Sequence, residues 1–225
     1  MRKSDLNDLF GHALAHYINY GSNPYEIVEC LDGHIHVNEY ATYVNGVLPE
    51  LVGSFAPCSV VDYGCGVGRH IPLLKYIGHK VVGIEQSSTL VDLAHTLGRP
   101  EVIQGDLFTH GIPYDLGLLL CNGVALLGTR KQAVGFLECC PCTHLIVEGR
   151  GLPTYTEYAV DNMNEGKLPG EMKFRHRWGS YASPWYDRLI ASRNEFTELA
   201  SEGGYHTVTS TRGPNGTYVT HLIRP

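Results

Sequence analysis

The sequence has no long hydrophobic run and no excess of positive charge. None of its apolar stretches reaches the roughly 18 residues that a membrane-spanning helix requires, and residues 1–8 are too polar for a secretory signal peptide. The formal net charge of −6 and a pI near 6.0 give no general attraction to phosphate backbones. We therefore expect a cytoplasmic protein that binds neither membranes nor nucleic acid.

The chain is long enough to bury a sizeable core. Its 225 residues are 43% hydrophobic, which suits one generous α/β domain or two small ones. We expect one domain with elaborations, present as a monomer or a homodimer.

Seven cysteines, an odd number, come without a secretion signal, so we expect reduced thiols. The stretch from Cys139 to His144 offers thiolates and an imidazole, donors that suit zinc. However, no second Cys/His pair stands at a finger-like distance, and His12 and His16, four positions apart, have no identifiable third ligand. We predict no metal. The stretch instead reads as a helix end, a turn at Pro141 and the start of an apolar strand.

Residues 60–70 are the most informative segment. An apolar run and an acid lead into three alternate glycines, Gly64, Gly66 and Gly68, followed by a helix-compatible stretch. Glycine permits positive φ and lets a ligand lie against bare backbone, while N–H groups at a helix start can hold an anionic group. This pattern predicts a nucleotide-like cofactor. A dinucleotide fingerprint would place its third glycine where Arg69 stands, so the spacing favours S-adenosylmethionine over NAD.

Short apolar strands alternate with helix-length segments through the middle of the chain. The predicted strands are residues 60–62, 80–85, 101–104, 116–121 and 143–147. Such alternation indicates a parallel sheet. By contrast, residues 205–211 and 217–223 are β-rich and flank a turn with an Asn-Gly pair, which predicts an antiparallel hairpin.

A mainly parallel sheet that ends in such a hairpin resembles the class I S-adenosylmethionine-dependent methyltransferases of the bacterial, small-molecule type. The resemblance implies an α/β fold with a Rossmann-like, mostly parallel seven-stranded sheet, an antiparallel terminal strand and three α/β/α layers, here with an N-terminal helical lid. We expect residues 1–55 to form the lid and 56–225 the methyltransferase domain. Within that domain, residues 149–195 would be an insertion that forms the acceptor pocket.

The resemblance also implies which residues hold S-adenosylmethionine. The loop from Asp62 to Gly68 would wrap its methionine portion, and Glu85, a carboxylate that only accepts hydrogen bonds, would take both ribose hydroxyls. Asp106 would accept from the adenine amine, and residues after the fourth strand would lie under the methyl group. The implied cofactor-binding residues are Asp62, Gly64, Cys65, Gly66, Gly68, Glu85, Gln86, Asp106, Leu107 and Asn122.

Acceptor binding is predicted for the N-terminal segment and the insertion, which mixes aromatic and cationic residues. Such a mixture suits an acceptor with an apolar ring and an anionic group; the alternative is a cover strand over residues 173–178 with alternate residues exposed. The candidate substrate-binding residues are His12, Tyr158, Arg175 and Trp185. A protonated acceptor needs a base, for which we predict His176, with Tyr155 as an orienting group.

The function predicted from these residues is methyl transfer by in-line displacement to an O or N atom of a small, ring-containing metabolite. DNA base N-methylation is disfavoured because Cys121-Asn122-Gly123-Val124 lacks the Asn/Asp-Pro-Pro-aromatic motif expected there. Two alternatives stay open. One is a protein of this fold that binds S-adenosylmethionine without transferring methyl, as a rearrangement enzyme or a binding subunit; the other is an NAD-dependent oxidoreductase, against which Arg69 and the hairpin argue.

Overall fold

Two β-sheets organise the chain in the computed structural model, which describes residues 3–152 and 156–225. The strands are β1 (Tyr25–Cys30), β2 (Ile35–Glu39), β3 (Ser59–Tyr63), β4 (Lys80–Glu85), β5 (Val102–Gln104), β6 (Leu116–Leu119), β7 (His144–Arg150), β8 (Glu171–Trp178), β9 (Tyr181–Ala182), β10 (Tyr186–Leu189), β11 (His206–Arg212) and β12 (Thr217–Ile223). The α-helices are α1 (Leu9–Tyr20), α2 (Ala41–Val44), α3 (Glu50–Gly53), α4 (Ile71–Tyr76), α5 (Ser88–Thr96), α6 (Arg130–Cys139), α7 (Glu157–Asn164) and α8 (Arg193–Glu202). Short 3₁₀ turns span Lys3–Asp8, Gly123–Leu127 and Pro214–Gly216.

The larger sheet has the predicted topology. Within the described residues its order is β11-β12-β7-β6-β3-β4-β5. Strands β3 to β7 pair in parallel, and β12 pairs antiparallel with both β7 and β11. The predicted parallel sheet and its closing antiparallel hairpin are therefore confirmed.

Buried side chains cover both faces of this sheet. Along β3, Val61 and Tyr63 join the core beneath α6 and α8, while Val60 joins the core beneath α4 and α5. Successive residues of a strand point to opposite faces, so a nearly continuous apolar strand is what a sheet covered on both sides needs. The three-layer α/β/α arrangement follows from that pattern.

The order of the strands places a crevice at one edge of the larger sheet. The chain moves outward from β3 to β4 and β5, then returns to place β6 on the other side of β3. Loops that leave the carboxyl ends of β3 and β6 diverge at this reversal, which is where open α/β sheets bind ligands. The glycine loop follows β3, and Asn122 follows β6.

The N-terminal segment is only partly helical, which corrects the prediction of a helical lid over residues 1–55. Helix α1 packs on α5, where Leu14 and Leu90 share a buried cluster, but β1 and β2 form a hairpin. Strand β1 pairs antiparallel with β8, which in turn pairs with β10. Because β1 finds its partner about 145 residues away in the chain, its local sequence gave no signal of this second sheet. The division of the chain at residue 55 stays a prediction.

In the part of the chain that the structure describes, none of the helices combines the length and apolar character needed to cross a membrane.

Candidate functional site

One cleft of about 700 Å³ opens at the crevice of the larger sheet and reaches the second sheet. Its floor is the glycine loop after β3 together with the ends of β4, β5 and β6, and its other wall includes α1, β8 and β10. That volume lies in the range of small-molecule and cofactor sites. Of the ten residues predicted to hold a cofactor, every one except Gly68 lines it.

Gly66 presents bare backbone to the cleft. Its φ is +59°, and a Cβ built on it would have no heavy atom within 4 Å. By contrast, a Cβ on Gly68 would lie 2.7 Å from Val102 Cγ2 and 2.9 Å from Ile71 Cδ1. The two glycines therefore serve different purposes. Gly66 leaves room for a ligand, whereas Gly68, contrary to the prediction, lets α4 pack against β5.

Glu85 closes the glycine loop from the end of β4. Its Oε2 accepts a hydrogen bond from the Gly66 N–H at 2.9 Å, and its Oε1 accepts one from the Ser87 N–H at 2.8 Å. Burial raises the pKa of the carboxyl group despite these two donors. A carboxylate has about four acceptor positions, so both oxygens keep capacity for further donors from the cleft, which Gln86 also lines.

Asp62 forms a buried pair that the sequence analysis did not anticipate. Its Oδ2 lies 3.0 Å from His70 Nδ1, and both side chains are almost wholly inaccessible to solvent. His70 Nε2 is buried without a hydrogen-bond partner in the structure, and the residue lines the cleft. Asp62 thus anchors the first turn after the glycine loop.

Asn122 carries an unpaired acceptor. It and the preceding Cys121 both have positive φ, +59° and +58°, a conformation that is uncommon outside glycine and tends to cluster at functional sites. Asn122 Oδ1 is buried and has no hydrogen-bond partner among residues 3–152 and 156–225, although the residue lines the cleft. A donor from a ligand would relieve that deficit.

Asp106 and Leu107 follow β5 at the rim of the cleft. Asp106 is exposed, and its Oδ1 accepts a hydrogen bond from the Phe108 N–H at 2.9 Å, which fixes the local turn. The outer carboxylate oxygen keeps capacity for a donor at the far end of the cleft from β10. Cys65 also lines the cleft, but its thiol turns inward: a Cβ on Gly83 would lie 2.6 Å from Cys65 Sγ.

His176 sits on the opposite wall between an acid and a phenol. Its Nδ1 lies 2.9 Å from Glu26 Oε1, and its Nε2 lies 2.7 Å from the Tyr186 hydroxyl. Glu26 Oε2 accepts hydrogen bonds from the Tyr43 hydroxyl at 2.5 Å and from Asn38 Nδ2 at 2.9 Å. Burial would raise the pKa of Glu26, but the contacts with His176 and Tyr43 outweigh it and lower the pKa from 4.5 to about 2. A permanent negative charge therefore faces the imidazole.

The register of the second sheet explains this cluster. Val28 is paired with His176, so Glu26 and His176 are diagonal neighbours on one face. Tyr186 pairs with Phe174 on that same face, and its own pKa is raised to about 12 by burial, so its hydroxyl stays protonated near neutral pH. The alternation of side chains thus gathers an acid, an imidazole and a phenol against the cleft.

The same alternation places Arg175, a predicted substrate-binding residue, away from the cleft. It lies on the face opposite His176, where its guanidinium donates to Glu29 Oε1 at 2.8 Å and to Oε2 at 3.1 Å and stacks over the Trp185 ring at 4.5 Å. Arg177 donates to the same carboxylate. Both cations are therefore engaged by Glu29 and do not line the cleft.

The other residues predicted to bind the acceptor lie in different parts of the structure. Trp185 lines the cleft. Tyr158 packs instead against the buried cluster around Val28 and Phe174, and His12 lies outside the cleft lining. Tyr155 falls outside the described residues.

Sequence reasoning missed Glu26, Tyr186 and Arg188, which all line the cleft. A possible signal for Tyr186 is its place directly after Trp185. Glu26 offered none, because its position depends on a strand pairing between distant segments.

Comparisons with known proteins fit this geometry. No protein-family model matches the chain, and no curated protein matches it in sequence. Among solved structures, an S-adenosylmethionine-dependent methyltransferase from Bacteroides fragilis in complex with S-adenosyl-L-homocysteine matches with a TM-score of 0.82 and 18% identity, over 98% of this chain and 96% of that chain. The CcbJ methyltransferase from Streptomyces caelestis gives 0.59 and 14%, over 80% and 91%.

A third match is magnesium protoporphyrin IX methyltransferase (ChlM) from Synechocystis PCC 6803 with bound S-adenosylhomocysteine, with a TM-score of 0.52 and 17% identity, over 78% of each chain. The fold is therefore that of a three-layer α/β protein with a closing antiparallel hairpin. It is the fold of the class I S-adenosylmethionine-dependent methyltransferases, as the resemblance in the sequence predicted.

Proposed function

We propose that this protein binds S-adenosylmethionine and transfers its methyl group to an O or N atom of a small, ring-containing acceptor. The observation that carries the proposal is the continuity of one cleft, which joins the bare backbone of Gly66 and the carboxylate of Glu85 to the Glu26–His176 pair. The site proposed for the methyl donor and the histidine that can receive a proton therefore lie in the same cleft.

The cofactor side offers three side-chain acceptors that suit S-adenosylmethionine, on Glu85, Asp106 and Asn122. In this arrangement Glu85 would accept hydrogen bonds from the ribose hydroxyls, and Asp106 would accept one from the adenine amine. The buried Asn122 Oδ1 would accept from the amino group of the methionine portion, which gives its missing partner. Gly66 leaves the space that this portion needs.

The bound cofactor supplies a methyl group activated by a sulfonium. An acceptor lone pair would displace the sulfur in line, and the protein's residues would hold the acceptor in that direction. The protein mainly has to align the acceptor, and alignment can supply much of the rate enhancement.

A hydroxyl or ammonium acceptor must also lose a proton. We assign that proton to His176, whose Nδ1 faces the ionised Glu26 and whose Nε2 contacts the Tyr186 hydroxyl. Glu26 favours the positive charge that the imidazole gains. Tyr186, which lines the cleft and stays neutral, can pass the proton from acceptor to imidazole. The orienting role predicted for Tyr155 stays a prediction.

Two measurements test the proposal. Calorimetry should show binding of S-adenosylmethionine and S-adenosylhomocysteine but not of NAD; preferential binding of NAD would favour the oxidoreductase alternative. Release of S-adenosylhomocysteine should then be followed over a panel of phenols and amines. Tight cofactor binding with no release on any acceptor would favour the alternative in which the fold binds the cofactor without methyl transfer.

A further inference from the structure

Arg188 places a cation on the acceptor side of the cleft. It pairs with Met172 across β10 and β8, which puts it on the same face as Tyr186 and His176. Arg188 is half-buried and lines the cleft. Its guanidinium carbon lies 5.8 Å from the centre of the Tyr186 ring and 5.9 Å from that of the Phe174 ring.

The guanidinium has no anionic partner of its own. Within residues 3–152 and 156–225, no carboxylate lies within 4.0 Å of it, and its side chain donates no hydrogen bond to protein. Glu26 is close enough to influence it electrostatically, but the oxygens of that carboxylate already contact His176, Tyr43 and Asn38. Arg188 therefore differs from the paired Arg175 and Arg177 on the opposite face.

A partly buried cation without a partner is costly unless a ligand supplies one. Burial lowers the pKa of Arg188, but the attraction of neighbouring acidic groups, among them the carboxylate of Glu26, outweighs it and raises the pKa, so the guanidinium is charged near neutral pH. Its planar fork of donors matches a carboxylate with two parallel hydrogen bonds.

We propose that Arg188 binds a carboxylate carried by the methyl acceptor. This inference rests on the proposed function and deepens it by naming the class of acceptor: an apolar ring, which the Trp185 and Tyr186 rings lining the cleft favour, bearing a carboxylate and a separate nucleophile. The carboxylate held by Arg188 would fix the acceptor so that its nucleophile lies near Tyr186 and His176.

Matched acid and amide probes test the inference. We would load the protein with S-adenosylhomocysteine and measure binding of 3-hydroxybenzoate against 3-hydroxybenzamide, and of indole-3-acetate against indole-3-acetamide. At least one acid should bind about tenfold or more tightly than its amide, because a carboxylate forms charge-assisted hydrogen bonds with the guanidinium that a neutral amide cannot form. In Arg188→Met that preference should disappear, and in Arg188→Lys it should be partly kept.

Arg130→Met is the matched control, because Arg130 forms an exposed ion pair with Glu202 away from the cleft and should leave the preference unchanged. Each variant is first shown to bind S-adenosylhomocysteine, which verifies its fold. If the wild type binds S-adenosylhomocysteine but no acid more tightly than its amide, or if Arg188→Met keeps the preference, this inference is wrong while the proposed function stands. If the wild type does not bind S-adenosylhomocysteine, both fail.

Discussion

The two walls of the cleft are built in different ways. On the cofactor side, each functional residue directly follows a strand of the parallel sheet: the glycine loop after β3, Glu85 at the end of β4, Asn122 after β6. On the acceptor side, Glu26 and His176 meet only because β1 pairs with β8, two segments about 145 residues apart. The proposed cofactor site thus depends on short stretches of sequence, and the proposed acceptor site depends on long-range strand pairing.

The difference also appears in the comparisons. The Bacteroides fragilis structure matches 98% of this chain, whereas the other two matches reported above extend over 80% or less. Proteins can share the larger sheet and still differ in the segments added to it, such as the second sheet of this chain. Function depends on the sites that a fold carries and not on the fold itself. Variants on each wall should therefore separate cofactor binding from turnover.

The largest expected effect comes from filling the space in front of Gly66. Gly66→Val would force a β-branched residue to φ +59° and push its side chain into the cleft. We expect the affinity for S-adenosylhomocysteine, measured by calorimetry, to fall by about a hundredfold or more, because the new side chain would clash with a ligand in that space. The backbone strain costs about 1–3 kcal/mol, which lowers the stability of the fold and not the affinity.

The control for Gly66 is Gly98→Val. Gly98 has φ +75° and open space around it, but it follows α5 outside the cleft. The two variants should lose similar thermal stability, while only Gly66→Val loses cofactor binding. Equal affinities for the two would show that the cofactor does not lie against Gly66.

On the acceptor wall, His176→Ala should reduce turnover without affecting the cofactor. Loss of a general base typically slows catalysis by about 10²–10⁴-fold, whereas the residues assigned to the cofactor lie on the other wall. The measurements are methyl transfer to an identified acceptor and calorimetry with S-adenosylhomocysteine. His36→Ala, an exposed histidine on β2 of the same sheet, is the control; unchanged turnover in His176→Ala would remove His176 from the mechanism.

Back on the cofactor wall, Glu85→Gln should weaken S-adenosylhomocysteine binding by about tenfold. The amide keeps the size of the side chain but replaces one acceptor oxygen by an NH₂ donor. That donor would point at the N–H of Gly66 or Ser87, or it would leave a ribose hydroxyl without its acceptor, and either change is unfavourable. Glu138→Gln, exposed on α6, controls for the loss of charge. Normal cofactor affinity in Glu85→Gln would contradict the ribose assignment.

The contrast between the walls also explains what the sequence could predict. Glu85 and Asn122 could be expected at one edge of the sheet because the end of an apolar strand can be read within a few residues, and parallel strands bring their ends to one edge; both line the cleft, and their role in cofactor binding stays a prediction. The hairpin of β11 and β12 could also be predicted from local sequence, because the two strands are adjacent in the chain and only a short turn separates them.

The errors arise where an orientation depends on partners far away in the chain. Spacing alone gives Gly66 and Gly68 the same role, and only the packing of Val102 and Ile71 shows that Gly68 faces the core. Arg175 and His176 are adjacent in sequence, but the pairing of β8 with β1 decides which of them faces the cleft. Alternation along β8 separates the two residues onto opposite faces, but which of those faces meets the cleft depends on the pairing with β1.

The smallest expected effect is the pH dependence that the buried Glu26 gives to stability. Its pKa is about 2 in the folded protein against 4.5 ordinarily, so its ionisation stabilises the fold fully above about pH 4.5, and this contribution is lost as the pH falls towards 2. In Glu26→Gln this contribution is absent. The difference in melting temperature between wild type and Glu26→Gln should therefore be largest at pH 7 and narrow steadily from pH 4.5 to 3.

Glu29→Gln is the matched comparison on the opposite face, where the carboxylate is more accessible and serves Arg175 and Arg177. Removing the Glu29 charge should leave methyl transfer largely intact, because Glu29 and its two arginine partners do not line the cleft, whereas Glu26→Gln should also lower turnover by depriving His176 of its negative partner. A melting difference for Glu26→Gln that stays constant with pH would mean that Glu26 titrates normally and does not act as a permanent charge beside His176.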